Sequence, residues 1–171
     1  MPPQHLTLGD IRVLYQRYMP DASRHPGARE VGGHRWWPAH EIGHLLTVPH
    51  RNIGMPMFGL DNEGASYEET ERFLAYELAA MSISRRLLTA CGHPELFYHP
   101  KIGELEASDY DVVHFGSRSY AQRLLRRRQL LRLPRTRAGL EVLCQRALAG
   151  TPTTRRAPEH RPGNPNRRDL P

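Results

Sequence analysis

The sequence has only two cysteines, Cys91 and Cys144, and a single lysine, Lys101. The cysteines lie far apart and form no CxxC pair, which excludes a disulfide framework and a zinc-finger pattern and predicts free thiols. No stretch is apolar over the roughly 18 residues of a membrane span, and no apolar run follows a basic patch near Met1. We therefore expect no signal peptide, no membrane partner and a cytoplasmic location.

Aromatic residues are also scarce, at 8% of 171 residues, and hydrophobic residues reach 39%. This material suffices for one modest core, so we expect a single domain over residues 1–150. Residues 151–171 are rich in Pro and Arg without apolar periodicity, which predicts a disordered tail. Residues 118–171 hold 14 arginines against three acidic residues, whereas the rest of the chain is net acidic. Such an uneven charge indicates two separate tasks.

Capping signals and apolar periodicity predict a mainly helical chain. The expected helices span about residues 7–19, 38–48, 66–90, 119–133 and 136–148. Two short segments are candidates for extended structure, namely residues 35–37 and the MPMFGL segment at 55–60. Residues 95–117 show no clear pattern.

The strongest chemical signal is the HExxH sequence at residues 40–44. Residues four apart lie on one side of a helix, so His40 and His44 can bind the same ion. Glu41 lies about 100° further round the helix, where it can reach water next to that ion. A random chain of this composition would contain about 0.04 such matches. We therefore predict His40 and His44 as zinc ligands and Glu41 as the catalytic base of a hydrolase.

A zinc site of this kind needs a third protein ligand, and three residues are candidates. His50 has the metzincin spacing, although Thr47 stands where that pattern has glycine. Glu69 is already accounted for as the capping partner at the start of the third helix. Glu77 lies at the centre of an apolar helix stripe, where a carboxylate is expected to bind a metal or pair with an arginine. We prefer Glu77, with Gly43 leaving room for the second helix to approach.

A helix with HExxH, followed by a helix with a ligand glutamate, resembles the gluzincin-type metallopeptidases. The HEIGHLL segment at residues 40–46 resembles the small intracellular ImmA/IrrE-like kind, and the resemblance covers residues 34–90. It implies a zinc metallopeptidase that acts on a specific intracellular protein. It also implies an α+β fold, mainly helical, with a minimal zincin-like core. That core would contain the active-site helix, a small sheet and a second long helix that carries a ligand.

Two further groups of residues are candidate substrate contacts. A zinc peptidase usually needs a donor that stabilises the oxyanion, and the candidates are His34, Tyr110 and His114. The second group is apolar and consists of Met55, Met57 and Phe58. It can form either a substrate-binding edge or a buried anchor of the loop.

Arginines interleaved with leucines dominate residues 123–137. Such a run can contact a nucleic acid or an acidic protein, or it can form the solvated face of a helix. The alternative function is therefore a zincin-fold regulatory or binding module that contacts DNA or an acidic partner through this region.

Overall fold

A computed structural model describes residues 5–24, 37–60, 66–97 and 107–150, with the backbone alone for Tyr67 and residues 107–115. Its α-helices are α1 (Leu8–Tyr18), α2 (Trp37–Thr47), α3 (Tyr67–Ala90), α4 (Ala107–Arg127) and α5 (Arg137–Ala149). Short 3-10 turns occur at Asp21–Ser23, His50–Asn52, Pro56–Gly59 and Pro94–Leu96. The prediction of a mainly helical protein is thus confirmed. The predicted tail at 151–171 lies outside the described residues.

The predicted small sheet is the main correction to the α+β assignment. None of the described ranges contains a β-strand, so the prediction of a sheet is wrong for that part of the chain. Of the candidate strand at residues 35–37, Trp37 is the first residue of α2 and the other two lie outside the described residues.

The MPMFGL segment is also not extended, because it folds into the 3-10 turn at Pro56–Gly59. The Ser23 hydroxyl donates to the carbonyl of Met55 and accepts from the amide of Gly54, both at 2.9 Å. These contacts come from a distant part of the chain, and they hold the segment as a compact turn where the alternation of residues alone indicated a strand.

Capping boxes fix the starts of α1 and α3, as the sequence predicts. The Thr7 hydroxyl accepts from the amide of Asp10 at 3.1 Å, and the Asp10 carboxylate accepts from the amide of Thr7 at 3.0 Å. Ser66 and Glu69 make the same reciprocal pair at 3.3 and 2.8 Å. Each box satisfies two amides that have no partner within the helix.

The predicted helix at 119–133 is displaced, because α4 ends at Arg127 and begins at Ala107. Gln129 has a φ of 57°, and its backbone amide donates to the carbonyl of Arg126. The backbone amide of Leu130 donates to the carbonyl of Leu125 at 2.8 Å. This is a Schellman motif, which ends a helix with one left-handed residue. Glycine usually takes that place, and Gln129 therefore gave no stop signal in the sequence.

The helix α2 lies at the centre of the core, between α1, α3 and α5. Every residue from Ala39 to Thr47 is buried. The motif residues therefore lie inside the protein. Glu141 of α5 links the outer helices, since it accepts from Arg17 at 2.8 Å and from the Tyr18 hydroxyl at 2.6 Å.

Both cysteines are free thiols, with Cys144 buried and Cys91 half-buried. In the part of the chain that the structure describes, no helix is both long and apolar enough to cross a bilayer.

Candidate metal centre

Gly43 allows α2 and α3 to approach each other closely. A Cβ atom at this position would lie 2.6 Å from the carbonyl oxygen of Ala80 and 2.8 Å from its Cα atom. Only glycine fits without moving one of the two helices. Because Ala80 follows Glu77 by one turn of α3, this contact places Glu77 beside the motif, as predicted from the sequence.

The structure brings His40, His44 and Glu77 together. The Nε2 atoms of the two histidines lie 3.1 Å apart. Glu77 places Oε2 at 3.3 Å from Nε2 of His40 and Oε1 at 3.1 Å from Nε2 of His44. The histidine side chains are each 5% exposed, whereas Glu77 keeps 22% exposure. Glu77 is therefore less buried than its place on the apolar stripe suggested, and it forms the side of the cluster that solvent can reach.

These spacings fit a single metal ion. Ligand atoms at about 2.0–2.1 Å in tetrahedral geometry lie about 3.3 Å from one another. The three distances here are 3.1, 3.1 and 3.3 Å. The buried Nδ1 atom of His44 has no hydrogen-bond partner among the described residues. No contact at Nδ1 from these residues fixes the tautomer, so Nδ1 can hold the ring proton when Nε2 binds a metal. Two imidazoles and a carboxylate are the ligand types of a catalytic zinc site, and they also suit other divalent metals.

The other two candidate ligands lie elsewhere. His50 contacts α5, with its Nδ1 atom 2.9 Å from the carbonyl oxygen of Ala147. Glu69 is exposed and occupied in the capping box of α3. Neither residue belongs to the cluster of His40, His44 and Glu77.

The cluster holds Glu77 ionised. Burial alone would raise the pKa of this carboxyl, but the charge of His44 and hydrogen bonds from both histidines lower it well below its usual range. Burial is the largest single influence on the pKa of His44 and lowers it, but the charge of Glu77, the hydrogen bond to Glu77 and the charge of Glu41 together raise it above its usual value. The carboxylate is therefore available as a ligand at neutral pH.

Glu41 differs from Glu77 in its electrostatics, although both lie at the same site. It is only 4% exposed, and this burial raises its pKa to about 7. The charge of His44 opposes the increase, and the charge of Glu77 adds a smaller contribution to it. Two carboxylates with pKa values pushed in opposite directions are typical of a site with an acid-base residue beside a charged ligand.

Aromatic rings pack around the imidazoles. The Trp37 ring meets His40 edge-on, with 5.8 Å between the ring centroids. Phe58 lies 5.5 Å from the His44 ring, so this residue is the buried loop anchor. Met55 and Met57 are each 45% exposed in the same segment, and they alone of this group can form a substrate edge.

The backbone of that segment is strained, because Met57 and Phe58 have φ values of 47° and 55°. Residues other than glycine rarely adopt this left-handed region of φ and ψ. The side-chain Nδ2 atom of Asn52 donates to the carbonyl of Phe58 at 2.7 Å, which holds the turn against His44.

Sequence reasoning missed the role of Arg128. Its Nη2 atom donates to the carbonyl of Val48 at 2.9 Å, just after the end of α2. A cation there satisfies a free carbonyl and stabilises the end of α2. The dense arginine run was the only signal, and it did not show which arginine turns inward.

The candidate oxyanion donors receive no test. His34 lies outside the described residues, and for Tyr110 and His114 the structure describes only the backbone of α4.

No protein-family model matches the chain, and neither a curated protein nor a solved structure is significantly similar to it. The resemblance to the gluzincins therefore stays a prediction, and the site has to be argued from its own geometry.

Proposed function

We propose that the protein is a zinc-dependent metallopeptidase of the zincin type that cleaves peptide bonds of a specific intracellular protein. The observation that carries this proposal is the cluster of two buried imidazoles and one carboxylate, with a second carboxylate at the same site. His40, His44 and Glu77 would hold the ion. When bound, zinc supplies Lewis-acid activation of water and of the scissile carbonyl.

Glu41 moves the proton in this proposal. A general base works best when its pKa lies near the operating pH, and burial raises the pKa of Glu41 to about 7 in the metal-free protein. Its carboxylate oxygen can therefore accept a proton from water and then pass it to the leaving amine. An exposed glutamate with a pKa of about 4.3 would be a weaker base for this step.

Access to the site favours a selective enzyme. The ligands lie on α2 and α3, which are packed helices, so their positions do not depend on a mobile loop. Of the three ligands in the part of the chain described, Glu77 is the most exposed, at 22% against 5% for each histidine. An extended peptide segment can approach the Glu77 side of the cluster more easily than a folded surface, which supports cleavage within a particular flexible segment of a target protein.

The test is peptide hydrolysis by the zinc-loaded protein, measured by mass spectrometry on a peptide library and on cell extract. Glu41→Gln should retain zinc and lose at least about a hundredfold in rate. Glu68→Gln makes the same chemical change at an exposed position of α3 and should leave the rate unchanged. Equal rates for wild type and Glu41→Gln, or no cleavage by the wild type in either sample, would refute the proposal.

A second candidate function is a binding module that contacts DNA or an acidic partner. The observation that favours it is the exposed pair Arg126 and Arg127 in the last turn of α4. This function predicts duplex DNA binding that weakens steeply with salt and survives Glu41→Gln. Absence of binding at low salt would remove its nucleic-acid version.

A further inference from the structure

A groove with a volume of about 1000 Å³ lies between the C-terminal half of α3 and residues 131–135. Arginines line it from both sides. Arg85 and Arg86 come from α3, and Arg132 and Arg135 come from the segment that joins α4 to α5. None of the described residues that line the groove is acidic. The groove is thus distinct from the metal centre and also from the exposed end of α4.

The groove arginines keep most of their donors available. Arg86 uses only Nη1, which donates to the carbonyls of Leu130 and Leu131 at 3.0 Å each and leaves its other nitrogens without a partner in the described ranges. Arg85 lies over the Phe97 ring, 6.0 Å from its centroid, and this contact leaves its charge unneutralised. None of the four arginines lies within 4 Å of a carboxylate of the described residues.

The fold fixes the Arg86 side chain and the backbone at Arg135. The contacts of Arg86 join α3 to the turn that follows α4, and the amide of Leu6 donates to the carbonyl of Arg135 at 2.8 Å. Four like charges that converge without a counter-charge repel one another, so a bound anion would lower the free energy of this arrangement.

The shape and the lining select among anions. Single-stranded nucleic acids are bound through series of aromatic stacking platforms, and the His5 imidazole is the only aromatic ring among the described residues that line the groove. Duplex DNA is read by an element that protrudes into its groove, whereas this surface is concave. The volume is close to the upper end of the range for small-ligand sites. Four guanidinium groups offer about twenty N–H donors, and a chain of phosphates, with three acceptor oxygens on each terminal group and two on each internal group, matches that density better than carboxylates do.

From these observations we propose that the groove is a binding site for a small ligand that carries a chain of phosphate groups. Arg85, Arg86, Arg132 and Arg135 bind the phosphoryl oxygens. Recognition is of the phosphate chain, because four arginines belong to the described lining and His5 alone offers an aromatic ring. The site does not depend on the metal centre or on peptidase activity.

The proposal is tested by titration calorimetry of the full chain with inorganic tripolyphosphate at low ionic strength. The double variant Arg132→Ser/Arg135→Ser removes two groove arginines, whereas Arg126→Ser/Arg127→Ser removes the same charge from the exposed end of α4. We expect one ligand per chain, binding weakened at least about tenfold in the groove variant, and near wild-type binding in the control. All four substituted arginines are exposed, and thermal melts check that both variants remain folded.

Two further titrations, with a glutamate-rich peptide and with a short DNA duplex, separate the alternatives. The proposal requires both to bind more weakly than tripolyphosphate and to be insensitive to the groove variant. It is overturned if tripolyphosphate does not bind at about 0.1 M salt, where surface charges act over about 10 Å. It is also overturned if both double variants lose affinity equally, or if the peptide or the duplex binds more tightly through the groove.

Discussion

Replacing Gly43 with alanine should separate α2 from α3 and weaken metal binding. The added Cβ atom would lie 2.6 Å from the carbonyl oxygen of Ala80, whereas ordinary contacts begin near 3.4 Å, so the helices must move apart by about 0.8 Å. Overpacking of this kind costs about 1–3 kcal/mol, and the better helix propensity of alanine offsets about 1 kcal/mol. We therefore expect a net loss of about 0–2 kcal/mol in the free energy of unfolding.

Metal affinity should fall as well. A metal site tolerates deviations of about 0.2 Å in its ligand distances, which is well below the expected shift. We expect zinc affinity to fall at least about tenfold, measured by competition with a chromophoric chelator.

The matched control is Gly9→Ala in α1, where the nearest atom to the added Cβ is Thr7 Oγ1 at 3.6 Å. It should stabilise the protein by about 1 kcal/mol and leave zinc affinity unchanged. A folded Gly43→Ala variant with wild-type zinc affinity would refute the reasoning.

Three further predictions concern stability, measured by thermal or urea denaturation. In metal-free protein, Glu41→Gln should stabilise more at pH 8 than at pH 4. The pKa of Glu41 rises from 4.5 to about 7 on folding, so the stability of the wild type falls by up to about 3 kcal/mol as the pH rises through this window. Parallel profiles of stability against pH for the wild type and the variant would contradict this. Gln129→Gly should stabilise the protein by about 1 kcal/mol, because the backbone at Gln129 has a φ of 57°, which glycine adopts without strain. Gly92→Ala, at a φ of 78°, should destabilise it by a similar amount. Unchanged denaturation midpoints in both variants would refute the claim of backbone strain at these positions. Ser23→Ala should cost about 1 kcal/mol, because the amide of Gly54 and the carbonyl of Met55, which are only partly buried, lose their partner, and an unchanged midpoint would refute this.

The first and last residues of a helix could be predicted where a nearby residue in the sequence caps that end. The capping boxes at Thr7 and Ser66 are local signals, as is Gly92, which follows α3 with a φ of 78°, and the predicted helices at about 7–19 and 66–90 agree with α1 and α3. Gln129 ends α4 in the same geometry without a glycine. The sequence therefore favoured a longer helix there.

The start of α4 could not be predicted for a different reason. Gly116 and Ser117 resemble a break, but they lie inside the helix because of contacts with α3. Glu71 packs directly against Gly116, and its carbonyl accepts from the Ser117 hydroxyl at 3.0 Å. Tertiary contacts of this kind override local propensity, and they cannot be read before the helix packing is known.

The candidate site was more predictable than the fold around it. The spacing of His40 and His44 depends only on helix periodicity, and the apolar neighbours of Glu77 marked it as a carboxylate in need of a partner. The arginine groove was not predictable, because it joins α3 to residues more than 40 positions further along the chain.

The most direct test of the central proposal is the zinc content of purified wild type, His44→Ala and Glu77→Gln, measured side by side by elemental analysis. Circular dichroism verifies that each variant is folded. The account predicts about one zinc per chain in the wild type and loss of zinc in both variants. Wild-type protein that is folded and supplied with zinc but binds none, or a Glu77→Gln variant that keeps a full equivalent, would contradict it.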